Sequence, residues 1–119
     1  MKGQIMTINN VTLCGNLVRD PEKKGTEDNP VLTFSIAVNE FRANSEDYAS
    51  YFDCVVFGKR AGSLSRVLHK GLKVCVEGRL HQSRFETKEG EKRSKVEVYV
   101  NDLEFMSSKN TDKNDEIPW

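Results

Sequence analysis

From Leu32 to Asn39 the chain changes character at every residue: Leu32, Phe34, Ile36 and Val38 alternate with Thr33, Ser35, Ala37 and Asn39. Successive side chains of a strand point to opposite faces, so this pattern predicts a β-strand with one buried face. The same period marks Val11, Leu13 and Leu17, with Gly15 in the remaining slot, where a bend or bulge is expected. Between Tyr51 and Phe57 every residue but Asp53 is apolar or aromatic, a third strand with two useful faces. Leu72, Val74, Val76 and Leu80 resume the period, are interrupted by Gly78 and run on towards Phe85. After a Lys88-Glu89-Gly90-Glu91 turn, Val96, Val98 and Val100 return; Leu103 and Phe105 continue in opposite phase, as across a bulge near Asn101 and Asp102. Helical spacing occurs once, at Ala61, Leu64 and Leu68, with Lys59, Arg60, Ser63, Arg66 and Lys70 opposite and Gly71 as the stop. The polar stretches from Asp20 to Pro30 and over residues 42–50 read as a connection and a loop.

Three strands, one short helix and a long hairpin match an all-β OB-fold, a partly open five-stranded Greek-key barrel with its helix between strands 3 and 4. A chain of 119 residues holds one such core, assigned to residues 1–106. Residues 107–119 turn to Ser, Lys, Asn, Thr and Asp without periodicity and are expected to form a disordered acidic tail. Cys14, Cys54 and Cys75 are odd in number, contain no CxxC pair and lie in apolar-patterned segments, so buried free thiols are expected. Apolar runs are only a few residues long and Lys2 is followed by no apolar signal region, so a cytoplasmic chain is expected.

Catalysis finds no support. His69 near the helix end and His81 on a strand are the two histidines, and no HExxH, GxSxG, phosphate-loop or zinc-type Cys-His spacing is present. His69 is expected at the last carbonyls of its helix and His81 at solvent or a ligand backbone. Acidic pairs such as Glu27-Asp28 and Glu46-Asp47 read as solvated loops. No catalytic residue, metal or cofactor is assigned.

The aromatic residues point elsewhere. If the third strand buries Phe52, Cys54 and Val56, then Tyr51, Asp53, Val55 and Phe57 occupy the other face. Phe41 at the end of the second strand and Phe85 near the hairpin tip also fall outside the alternating core set, beside Arg42 and Arg84. Rings next to guanidinium groups suit single-stranded nucleic acid, with bases stacking and cations meeting phosphates, although a subunit interface or small secondary core would use such rings too. Lys plus Arg equals Asp plus Glu at 18 each, with a pI near 6.7. The balance conceals two basic stretches. Residues 79–95 contain Arg79, Arg84, Lys88, Lys92, Arg93 and Lys95, and residues 59–73 contain Lys59, Arg60, Arg66, Lys70 and Lys73 with no acid. With Arg42, the residues Lys59, Arg60, Lys73, Arg79, Arg84, Lys88, Lys92 and Arg93 of these stretches are the candidate phosphate contacts, with a solvated hairpin as the plainer reading of residues 79–95.

Six segments in order, NNVTLCGNLVRDPE (9–22), FSIAVN (34–39), YFDCVVFGKRA (51–61), KGLKVCVEGRL (70–80), RFETKEGEKR (84–93) and the terminal DEIPW, carry a resemblance. The chain resembles bacterial and phage single-stranded DNA-binding proteins of the SSB type. That resemblance implies a homotetrameric, nucleoid-associated OB-fold protein coating single-stranded DNA without sequence preference in replication, recombination and repair. It places Phe41, Tyr51 and Phe85 where the family often has stacking tryptophans, and Phe57 at a stacking phenylalanine. Asp53 departs from the neutral or basic residue more usual there; Asn10, Thr12 and Asn16 face either a subunit interface or the DNA. The tip Asp115, Glu116, Ile117, Pro118 and Trp119 matches a partner-docking peptide, with Trp for Phe, fewer acids and a linker of about ten residues. The same rings would serve a cold-shock-like RNA binder, and the short tail an accessory OB protein of primosome assembly.

Overall fold

The computed structural model describes residues 7–40 and 48–105. Its order is β1 (Val11–Leu17), β2 (Glu22–Gly25), β3 (Pro30–Glu40), β4 (Tyr48–Phe57), α1 (Lys59–Leu64), β5 (Lys73–Glu86) and β6 (Lys92–Phe105). Neighbouring strands run β1-β5-β6-β4-β3-β2, and β1 also pairs with β3 at Asn16 with Ala37 and Leu17 with Ile36. That second pairing joins β1, β5, β6, β4 and β3 into a five-stranded ring, the expected OB architecture. All pairings are antiparallel except β4 with β6, parallel at Cys54 with Val98 and Val55 with Tyr99.

The alternation does what it predicts. Leu32, Phe34 and Ile36 of β3 are buried inside the ring with Cys54, Val56, Val74, Val76, Val98 and Val100. Each such aliphatic side chain contributes about 1.5–3 kcal/mol relative to exposure. Ala61 and Leu68 are buried in the same core, and α1 packs on β3 and β4. Glycines sit where strands meet most closely: a Cβ on Gly15 would run into the Ala37 carbonyl, and one on Gly78 into that of Tyr99. Gly78 also marks the irregularity, because Glu77 pairs with Asp102 and Gly78 with Val100, leaving Asn101 as the extra residue.

Four sequence expectations are corrected. The connection after Asp20 contains β2, a sixth strand outside the ring. Its four residues are all exposed, so no apolar alternation announced it, and a Thr26–Asn29 turn pairs it back on β3. The helix is six residues long and does not continue to Lys70. Arg66 and Val67 donate to carbonyls three residues back, and the Ser65 hydroxyl bonds to the Gly62 carbonyl, which tightens the chain out of α geometry. Of the cysteines only Cys54 is buried. Cys14 is exposed and Cys75 half-buried, because both stand on the outer face where β1 and β5 pair them. Val55, assigned to the open face of β4, is buried between its lateral neighbours Thr33 and Tyr99.

Candidate nucleic-acid interface

Directly paired residues share a sheet face, so register alone assembles one outer surface from four strands. β4 supplies Tyr51, Asp53, Val55 and Phe57; β3 supplies Ala37, Ser35, Thr33 and Val31 beside them. The parallel register places Tyr99 next to Val55, and the long hairpin pairs Arg79 with Tyr99, His81 with Glu97, Ser83 with Lys95 and Phe85 with Arg93. Tyr51, Phe57 and Phe85 are 65%, 50% and 50% exposed on this surface. Rings of that size are left in water when a face is built for a partner rather than for the core.

Three of the four expected stacking residues thus lie on one surface; Phe41 and Arg42 fall outside the described residues, as do the tip residues 115–119. The cations are more dispersed. Arg79 and Arg93 stand on the ring-bearing face. Arg84 and Lys92 point to the opposite face of the hairpin, since Arg84 pairs with Ser94 and Lys92 with Glu86. The cation directly across from Phe85 is therefore Arg93, not its sequence neighbour Arg84. Lys88 occupies the exposed tip between Thr87 and Glu91, where the turn is closed by backbone bonds between those two residues and between Gly90 and Thr87. Lys59 begins α1, and Lys73 begins β5 opposite Asn16. Arg60 is engaged elsewhere: its guanidinium donates to the Asn101 carbonyl at 2.5 Å and lies 3.9 Å from Asp102, tying α1 to the bulge of β6.

Asp53 is held within the surface. It accepts a hydrogen bond from the Ser35 hydroxyl at 2.5 Å and lies 3.7 Å from Lys95 Nζ, which is also 3.4 Å from Glu97. These groups line a polar recess of about 190 Å³ with Arg19, Asp20, Glu22 and Lys24 on its rim. Lys95 partly offsets the local acid, so the centre of β4 presents a nearly balanced patch between two exposed rings. Asn16 donates to the Gly71 carbonyl at 3.1 Å. His69 Nδ1 lies 3.1 Å from the Lys70 carbonyl, beyond the end of α1.

The residue pattern reading missed is Tyr99. Its ring meets Phe57 edge-on at 5.0 Å, lies under the His81 imidazole at 4.3 Å and 14°, and has the Arg79 guanidinium 5.4 Å from its centroid. The signal was present, because burial of Val98 and Val100 puts Tyr99 on the other face. Among the described residues no group of three His, Cys, Asp or Glu converges as a metal site, and no helix is long and apolar enough to cross a membrane.

Residues 8–106 match the family model described as "Single-strand binding protein family". The chain belongs to this family. The "Single-stranded DNA-binding protein" of Borreliella burgdorferi is 47% identical over 106 residues, covering 85% of this chain and 71% of that one. That of Treponema pallidum is 40% identical over 105 residues, and there the match spans 59% of the relative's length. Among solved structures, one titled "Plasmodium falciparum SSB complex with ssDNA" matches with a TM-score of 0.78 and 26% identity, over 88% of this chain and 100% of the other. Five of the six ordered segments, those within residues 9–93, fall inside the matched region, and the face bearing Tyr51, Phe57 and Phe85 is the candidate interface of a single-strand binding family fold.

Proposed function

We propose that this protein binds single-stranded DNA without sequence preference, stacking bases on Tyr51, Phe57 and Phe85 while Arg79 and Arg93 meet phosphates. The observation that carries the reading is three half-exposed or more exposed rings on one continuous sheet face. Every base has a π-face, so such platforms tolerate any sequence, at about 1–3 kcal/mol per stacked base. The named relatives and the solved complex with ssDNA support the same ligand. Phe41 and Arg42 extend the track. Lys59, Lys73, Arg84, Lys88 and Lys92 serve strands that wrap beyond the ring face, whereas Arg60 serves the fold.

In this reading the chain is a non-catalytic, cytoplasmic, homotetrameric protein whose domain spans residues 1–106. Residues 107–119 carry the peptide Asp115 to Trp119, which recruits replication, recombination and repair proteins through its apolar side chains.

The test is fluorescence anisotropy with labelled oligo-dT, oligo-rU and duplex DNA across a salt titration. Tight binding to oligo-dT that weakens with salt is expected, with duplex binding much weaker. Preference for duplex, or indifference to salt, would sink the reading. Preference for oligo-rU would replace DNA by RNA.

A further inference from the structure

We propose that Tyr99, His81 and Arg79 form a further nucleotide subsite, which carries the strand across β6 between Phe57 and Phe85. The inference rests on the single-stranded DNA reading and names a part of that same face.

Phe57 and Phe85 are remote platforms. Phe57 touches Tyr99, which pairs with Arg79, and Phe85 lies six residues further along β5, about 20 Å at strand rise. A strand stacked at both ends has to cover that gap. The surface between them is occupied by His81, lying parallel to the Tyr99 ring at 4.3 Å, with Phe57 against the same ring at 5.0 Å. His81 remains half-exposed and Arg79 exposed. The stack therefore offers an imidazole backed by a phenol for one more base. Arg79, 5.4 Å from the Tyr99 centroid, is placed for the adjoining phosphate. Backing matters: an isolated histidine on a strand has several rotamers, whereas one laid on tyrosine loses little further freedom when a base covers it.

Sequence reading treats His81 as a polar residue facing solvent or ligand backbone, and Tyr99 passes unremarked. The packing observed is also what a small secondary core would use to stiffen the hairpin, and the two roles differ in what DNA does to them. The chain has two histidines, so its imidazole proton resonances are few, and His81→Gln assigns them.

In proton NMR of the full chain titrated with oligo-dT, the His81 ring resonances move upfield by ring-current shielding, while those of His69, outside the face, stay in place. His81→Ala and Tyr99→Val each weaken oligo-dT binding about tenfold at fixed salt, and Tyr99→Phe restores it. His69→Gln leaves binding unchanged. Should Tyr99→Val fail to fold, the His81 resonances and His81→Ala decide alone. If oligo-dT binds with the His81 signals unmoved and His81→Ala at full affinity, the subsite is wrong and the three residues are packing, while the DNA reading stands. If oligo-dT does not bind the unmodified protein at all, both fall together.

Discussion

Cys54 carries no exposed surface, and burial, with Asp53 and Glu97 adding negative potential, pushes its thiol up to about 12 from an ordinary 9.0. The neutral thiol is therefore favoured by folding. Below pH 9 both folded and unfolded chains keep it protonated and the stabilisation is fully present. As pH rises above 9 the unfolded chain loses the proton and the folded chain does not, so this contribution falls by about 1.4 kcal/mol per pH unit until the folded thiol titrates. Urea denaturation at pH 8, 9, 10 and 11 should show that decline, and Cys54→Ala, though less stable at pH 8, should show a correspondingly shallower one. Equal slopes would mean that the buried thiol is not the source. A thiol reagent at pH 8 gives a second reading of the same geometry: Cys14 reacts in the native state and Cys54 only in denaturant. Cys75 should be slow, because a hydrogen bond with Cys14, before burial and the nearby Glu104, raises its pKa.

At the scale of elements, β5 and β6 decide the shape of the interface, and Gly78 decides β5. The strand passes so close to the Tyr99 carbonyl that any Cβ at Gly78 must displace β6, taking with it Arg79 and the Tyr99 ring. Gly78→Ala should cost about 1–3 kcal/mol, the range for overpacking a close-fitted interior, and should weaken oligo-dT binding beyond that of an equally destabilised core variant such as Val76→Ala. Thermal melts compared with binding isotherms separate the two effects. Gly78 was legible in the sequence because it breaks a period-two run, as were the five ring strands, four by their alternation and β4 by its dense apolar and aromatic run. β2 was not, since a strand of four exposed residues, none of them apolar in side chain, leaves no hydrophobic trace and exists only through its pairing with β3. The end of α1 was illegible for a related reason: Leu68 keeps helical spacing from Leu64 and is buried, but it arrives there through a tightened turn. Sequence reading placed Tyr51, Phe57 and Phe85 on an open face by parity. It mispaired Phe85 with Arg84, because adjacency along a strand means opposite faces, and the true companion Arg93 is visible only once the hairpin register is known.

Over the whole molecule the 18 cations and 18 acids cancel, and the structure adds that several cations are already spoken for. Arg60 bonds to the β6 backbone, Arg93 lies 2.6 Å from Glu91, and Lys95 stands between Asp53 and Glu97. Surface pairs of this kind are each worth little to stability, at most about 1 kcal/mol, but each holds a charge that phosphate would have to win away. Affinity from counterion release should accordingly be modest and the share from stacking large. For single strands the logarithm of the binding constant falls by about 0.7 per neutralised phosphate for each decade of salt. A track with about three to four freely engaged phosphates per protomer predicts a slope of about −2 to −3, with appreciable binding persisting in molar salt. Arg79→Gln should flatten that slope by about 0.7, whereas Arg60→Gln should leave it unchanged and instead lower the melting temperature, since it removes the tie between α1 and the bulge. A slope steeper than about −5, or one that responds to Arg60→Gln as strongly as to Arg79→Gln, would mean that bound DNA recruits the cations now held by acids and backbone carbonyls. In that case the neutral balance of the free protein would describe its resting surface and not the surface that the strand meets.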